Sequence, residues 1–166
     1  MWITATVIVG LVSVSLAGAG ESPTVDEQMA GLVKMCADSE ATRIARQVEK
    51  PLYYRLGERD GIYGLTTELV RLHSINPDFA RFWGHIDEQA LIQNSTDFVS
   101  TGTGGPKVYT GRDMPSAHAH LKLSKADFLS AGNDVGMAMQ NKGYGEEETQ
   151  EFICILVSMK DLVITK

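Results

Sequence analysis

Four histidines and two cysteines are the residues of this 166-residue chain with the widest chemical range. An imidazole titrates near neutral pH, so each histidine can move a proton or lend a nitrogen to a metal. His73, His85, His118 and His120 differ only in what surrounds them, since a lone histidine in a helical protein is more often structural than reactive. Cys36 and Cys154 lie far apart, and their spacing matches no zinc knuckle, redox pair or Cys-x-x-Cys-His attachment site. Each reads as a buried thiol that packs like a small hydrophobe. In an oxidising compartment they pair instead, if the fold brings their backbones close enough.

Composition narrows the partners. Apolar residues make up 43% and charged residues 22%, the balance of an ordinary soluble globular chain. The net charge is −6 with no local cluster of lysine and arginine, which argues against a nucleic-acid partner. The length fits one domain with a leader or tail. Met1 to Gly20 has no charged side chain and ends in Ala17-Gly18-Ala19, the small-x-small triplet a signal peptidase requires. The positive residues that usually open a leader are missing, and the stretch is long enough to span a bilayer uncleaved. Residues 1–19 therefore read as a signal peptide or a membrane anchor. The expected destination is periplasmic, secreted or membrane-anchored, with contact to a membrane only through an uncleaved anchor. A buried first helix of a cytoplasmic protein is the remaining reading.

The elements that must position the histidines follow from periodicity. Residues 20–50 form a polar, mixed extension, with a helix expected from Val25 to Val48 and no role in the core. Pro51 punctuates the chain, and residues 51–166 form the domain proper. Ile62, Leu65, Leu69 and Leu72 recur at helical spacing. Asn76-Pro77 stops that helix, and Pro77 suits the first position of a short helix through Phe82. Leu91, Ser95, Phe98, Val99 and Gly102 share one face of a second long helix, ended by Gly104-Gly105-Pro106. From Lys107 to Leu123 the chain is mostly loop, with a short helix near His118. Ser124 and Asp127 resemble a capping box that starts a helix carrying Phe128, Ala131, Val135 and Met139. Phe152, Ile155, Leu156, Met159, Leu162 and Val163 predict a last helix of about five turns. No segment alternates as a strand does, so the expected fold is all-α.

Gly104-Gly105-Pro106, Tyr109-Thr110-Gly111-Arg112, Met114 and Ala117-His118 together resemble the glycine pair, aromatic loop and proximal histidine of group 1 truncated (two-over-two) haemoglobins. Leu52-Tyr53-Tyr54-Arg55-Leu56-Gly57 is similar to that family's opening segment, and Pro77, Phe79, Phe82 and Trp83 to its haem-contacting turn. Leu123, Ser124 and Phe128 fit the region after the proximal helix. The resemblance implies a truncated-globin fold holding haem b, with His118 as the iron ligand and its second ring nitrogen bonded to a backbone carbonyl. It further implies haem contacts from Val70, Phe82, Trp83, Leu91, Ser95, Phe98, Val99, Tyr109, Met114, Leu123, Phe128 and Val135. Several family features are absent. Val70 stands where a tyrosine is usual, Ser95 where glutamine is frequent, and Asn94 where some members carry a second histidine ligand. The opening glycine pair reads Gly57-Glu58.

Two functions are compatible with these residues. One is a five-coordinate haem protein that binds oxygen, nitric oxide or carbon monoxide, with nitric oxide dioxygenase side activity and a reductase partner of unspecified kind. The other is a drifted globin module serving as a redox carrier, sensor or interaction domain.

Overall fold

Polar caps and turn residues divide residues 22–166, the part described by the computed structural model, into ten α-helices and two short 3-10 turns. The expected leader and its cleavage point lie outside the described residues. Helix α1, Val25–Asp38, opens with a capping box in which Glu27 N–H donates to Thr24 Oγ1 at 3.3 Å and Thr24 N–H donates to the Glu27 carboxylate at 2.7 Å. The single helix expected from Val25 to Val48 is divided at Ser39, and α2 spans Glu40–Glu49. At the break the Ser39 hydroxyl donates to Met35 O at 2.9 Å and Arg43 to Cys36 O at 2.7 Å, which serves carbonyls the helix end leaves over.

Pro51 precedes the one-turn helix α3, Leu52–Arg55, and Gly57 turns the chain into α4, Glu58–Ile75. Asn76 ends α4, Pro77–Phe79 forms a 3-10 turn, and α5 spans Ala80–Trp83. Asp87 caps α6, Glu88–Gly102, by accepting from Ala90 N–H at 3.0 Å. Then come α7, Met114–His118, a 3-10 turn over Ala119–Leu121, and α8, Lys125–Asn141, with the expected Ser124/Asp127 capping box in place. The expected five-turn last helix is broken at Met159 into α9, Glu146–Ser158, and α10, Lys160–Val163. The chain bends there so that Ile164 can lie beside Leu123, with Thr165 N–H donating to Leu123 O at 2.9 Å.

Helix α4 packs against both α6 and α8, and α8 packs against α9. Between them Leu52, Tyr53, Leu56, Ile62, Leu65, Leu72, Val135, Ala138, Met139 and Phe152 form one buried cluster. Gly105 fixes one corner of it. A Cβ there would overlap the Tyr53 ring and the Ser100 carbonyl, while Tyr53 N–H donates to Thr103 O at 3.0 Å. The glycine pair thus lets the end of α6 close onto α3 with no side chain between them.

The N-terminal helices depart from expectation. Helix α1 packs on α8 and α9, buries Met29 and Cys36, and is joined to α9 by a disulfide between Cys36 and Cys154. The reading of both cysteines as plain thiols is corrected by this pairing. Residues 25–38 belong to a second core of Cys36, Cys154 and Val157, flanked by Leu32, Met35, Phe128 and Ile153.

Candidate functional site

Asp113 starts α7 by accepting from Ser116 N–H at 2.8 Å, and Pro115 supplies a preset φ in the first turn. One turn later His118 is half-buried, with Nδ1 2.9 Å from the Met114 carbonyl oxygen. A carbonyl can only accept, so Nδ1 carries a proton, and in the neutral ring the lone pair is on Nε2. That is the tautomer a metal-ligating imidazole needs, held at a fixed ring angle. His120 is exposed in the following 3-10 turn.

The loop leading into α7 is fastened to the end of α6. Val108 and Tyr109 N–H groups each donate to Thr101 Oγ1 at 3.1 Å, and the Tyr109 hydroxyl donates to Arg112 O at 2.6 Å. The Tyr109 ring meets Phe98 edge-on at 5.1 Å between centroids. On the other side α7 packs on α10.

Helix α6 turns Ile92, Thr96 and Ser100 inward and leaves Leu91, Ser95, Phe98 and Val99 half-buried on an adjoining face. The Thr96 hydroxyl bonds Ile92 O at 2.7 Å and Thr66 Oγ1 at 2.8 Å, so it is fully used inside the α4–α6 contact. Ser95 makes no side-chain hydrogen bond among the described residues, and its hydroxyl remains available. Val70 on α4 is 4% exposed and brings no polar group.

Helix α5 carries the aromatic pair. Arg81 donates to Asp127 at 2.5 Å and lies 4.3 Å over the Phe82 ring, while Trp83 Nε1 donates to Glu88 at 2.9 Å. Burial pushes the Asp127 carboxyl up, but the Ser124 N–H and hydroxyl and the Arg81 guanidinium outweigh it and hold the group below its ordinary value. One carboxylate therefore caps α8 and ties the aromatic pair to the segment that follows His118.

Three of the residues expected at the haem also pack against the rest of the fold. Val135 lies in the main core, Phe128 packs against the Cys36–Cys154 cluster, and Leu123 is buried beside Ile164. A polar group that periodicity missed joins α4 to α8. His73 Nδ1 is 2.7 Å from Asp134, Asn76 donates to Asp134 at 2.9 Å and to Ser130 at 3.1 Å, and Ser130 donates to Asp78 at 2.7 Å. Its one signal in the sequence is an aspartate on the apolar stripe of α8, between Ala131 and Ala138. Two surface clefts lie away from His118, one of about 350 Å³ bordered by Tyr54 and Gly57–Asp60, the other of about 440 Å³ beside Met29 and Val33.

No protein-family model matches the chain. Among curated proteins it is similar to group 1 truncated hemoglobin GlbN of Nostoc sp. (strain MUN 8820), 26% identical over 115 residues, covering 69% of this chain and 98% of that protein. The Nostoc commune counterpart is 25% identical over 115 residues, with coverage of 69% and 98%. Among solved structures, truncated hemoglobin from Tetrahymena pyriformis in its Fe(III) form superposes with a TM-score of 0.67 at 18% identity, covering 70% of this chain and all of that one. The matched length is close to that of residues 51–166.

Proposed function

We propose that this chain, which resembles the group 1 truncated haemoglobins and has the truncated-globin fold, holds one haem b non-covalently through His118 Nε2. The observation that carries this reading is the Nδ1–Met114 contact at 2.9 Å, which leaves Nε2 as a lone-pair donor on a short, fastened helix. The donor set suits the group: one imidazole with Nδ1 tied to a carbonyl, the aromatic rings of Phe82, Trp83 and Phe98, and the apolar side chains of Leu91 and Val99. Both cysteines are in the disulfide, so neither is available for a thioether link. When bound, haem supplies an iron that takes oxygen, nitric oxide or carbon monoxide. This chain's part is to fix the imidazole with Met114 and to exclude water with the α5 and α6 side chains. Ser95 presents a hydroxyl on the α6 face expected to line the ligand side.

The disulfide supports export, because such bonds persist in oxidising compartments and rarely in the cytosol. The physiological role we infer is gas binding or nitric oxide detoxification outside the cytoplasm, with an electron-donating partner for the latter. Val70 favours a second reading, a globin module drifted toward redox or sensing work, because it removes the usual donor from α4.

The test is an absorption titration of residues 20–166 with haem, oxidised, reduced and under carbon monoxide. Wild type should give a strong Soret band, and His118→Ala should lose or shift it while keeping its helical circular dichroism. Loss in His120→Ala with a silent His118→Ala overturns the ligand assignment. A folded wild type without a Soret band leaves the second reading.

A further inference from the structure

Asn94-Ser95-Thr96 on α6 is an Asn-x-Ser/Thr triplet, the acceptor pattern for N-linked glycosylation. The chain has four asparagines. Asn76 is followed by Pro77, and Asn133 and Asn141 have Val135 and Gly143 two residues on, so Asn94 alone meets the pattern. Its place on the helix separates it from the residues that hold α6 in the fold. Ile92, Thr96 and Ser100 are buried against α4, whereas Asn94 is exposed and makes no side-chain hydrogen bond among the described residues. At about 100° per residue, Asn94 points roughly opposite that buried row. A large substituent on its amide nitrogen thus displaces nothing in the core.

We propose that Asn94 is an N-glycosylation site, occupied as the chain enters a secretory compartment. This rests on the export reading given above. The donor is an oligosaccharide joined to a membrane lipid through pyrophosphate. The Asn94 amide nitrogen forms a bond to the anomeric carbon, the carbon–oxygen bond to pyrophosphate breaks, the lipid pyrophosphate leaves with that electron pair, and the amide gives up one proton. No oxidant or reductant is involved.

Timing follows from burial. Thr96 is 0% exposed in the folded chain, with its hydroxyl taken by Ile92 O and Thr66. A transferase must recognise that hydroxyl, so modification precedes the closing of α6 onto α4. The unfolded nascent chain meets this condition in the compartment where Cys36 and Cys154 become oxidised. The finished glycan then stands on the flank of α6 next to Leu91 and Phe98, one turn away on either side.

The experiment uses the full chain, residues 1–166, expressed in cultured eukaryotic cells, with cell and medium fractions compared by gel mobility and peptide mass mapping. Secreted wild type should migrate slowly, collapse to a faster band with peptide N-glycosidase, and show the mass change on the peptide carrying Asn94. Asn94→Gln should migrate as the fast band without digestion, and Thr96→Ser should keep the slow one. Secreted wild type with unmodified Asn94 overturns the site and leaves export standing. Wild type retained in the cytosol with Met1 intact and no glycan overturns both.

Discussion

Glu58 follows Gly57 with φ of +58°, so the turn into α4 places a side chain in the left-handed region. The family's second glycine is gone, yet the backbone conformation it serves remains. An L-residue there costs about 1–2 kcal/mol, and glycine returns part of that through its greater unfolded-state freedom. Glu58→Gly should therefore stabilise the protein by about 0.5–1 kcal/mol, seen as a higher urea midpoint at unchanged slope. A lower midpoint would mean that the Glu58 side chain contributes more than its backbone costs. Val70, farther along α4, makes the complementary case. One neutral hydrogen bond is worth about 1 kcal/mol net, close to a factor of ten. In haem-loaded protein, Val70→Tyr should slow oxygen dissociation about tenfold by stopped flow. An unchanged rate with an intact fold would place position 70 away from the ligand.

At the scale of elements, His73 and Asp134 join α4 to α8. Burial pushes the His73 imidazole below its ordinary value, more than the hydrogen bond and charge of Asp134 lift it. The folded state then holds fewer protons than the unfolded chain once pH falls below about 6.5, so stability declines with acidification through that window. Above it the neutral ring keeps its bond to Asp134. Denaturation midpoints between pH 7.5 and 5 should fall for wild type and flatten in His73→Gln; equal slopes would assign the loss to other groups. This pair shows where sequence reading stops. Periodicity places α4, α6 and α8 because one apolar stripe per helix is enough to mark a face. Asn76-Pro77, Gly104-Gly105 and Ser124/Asp127 mark ends because each satisfies a local backbone need. That His118 bonds a backbone carbonyl is expected from the resemblance, and the structure supplies the acceptor, Met114 O on the same turn. His73–Asp134 and Arg81–Asp127 join residues 61 and 46 positions apart, and no local pattern encodes a partner at that range. The split of the last helix at Met159 depends on Ile164 reaching Leu123, which is likewise a tertiary demand.

For the whole molecule, the decisive addition is the N-terminal segment that the matched relatives' length does not require. Helix α1 buries only Met29 and Cys36, and α2 buries no residue. Their attachment therefore depends on the disulfide with Leu32 and Met35 packed around it, Lys125 donating to Asp26 at 2.7 Å, Arg46 facing Glu147 and Glu151 at 3.9 Å each, and Gln47 bridging Thr103 O at 3.1 Å and Leu52 N–H at 2.9 Å. The Cys36–Cys154 bond spans a sequence separation of 118 residues. Closing a loop of that size removes unfolded-state entropy, and disulfides of this kind contribute about 2–4 kcal/mol. The main cluster from Leu52 to Phe152 contains no residue of α1 or α2, so it does not need the bond to form. Cys36→Ser/Cys154→Ser should consequently lose about 2–4 kcal/mol in urea denaturation while keeping most of its helical circular dichroism. Hydrogen exchange should quicken in residues 25–49 and change little in α4 and α6. Reduced wild type should behave as the double variant does. If it matches oxidised wild type in both midpoint and exchange, the extension is held by its noncovalent contacts alone, and the bond serves something other than stability.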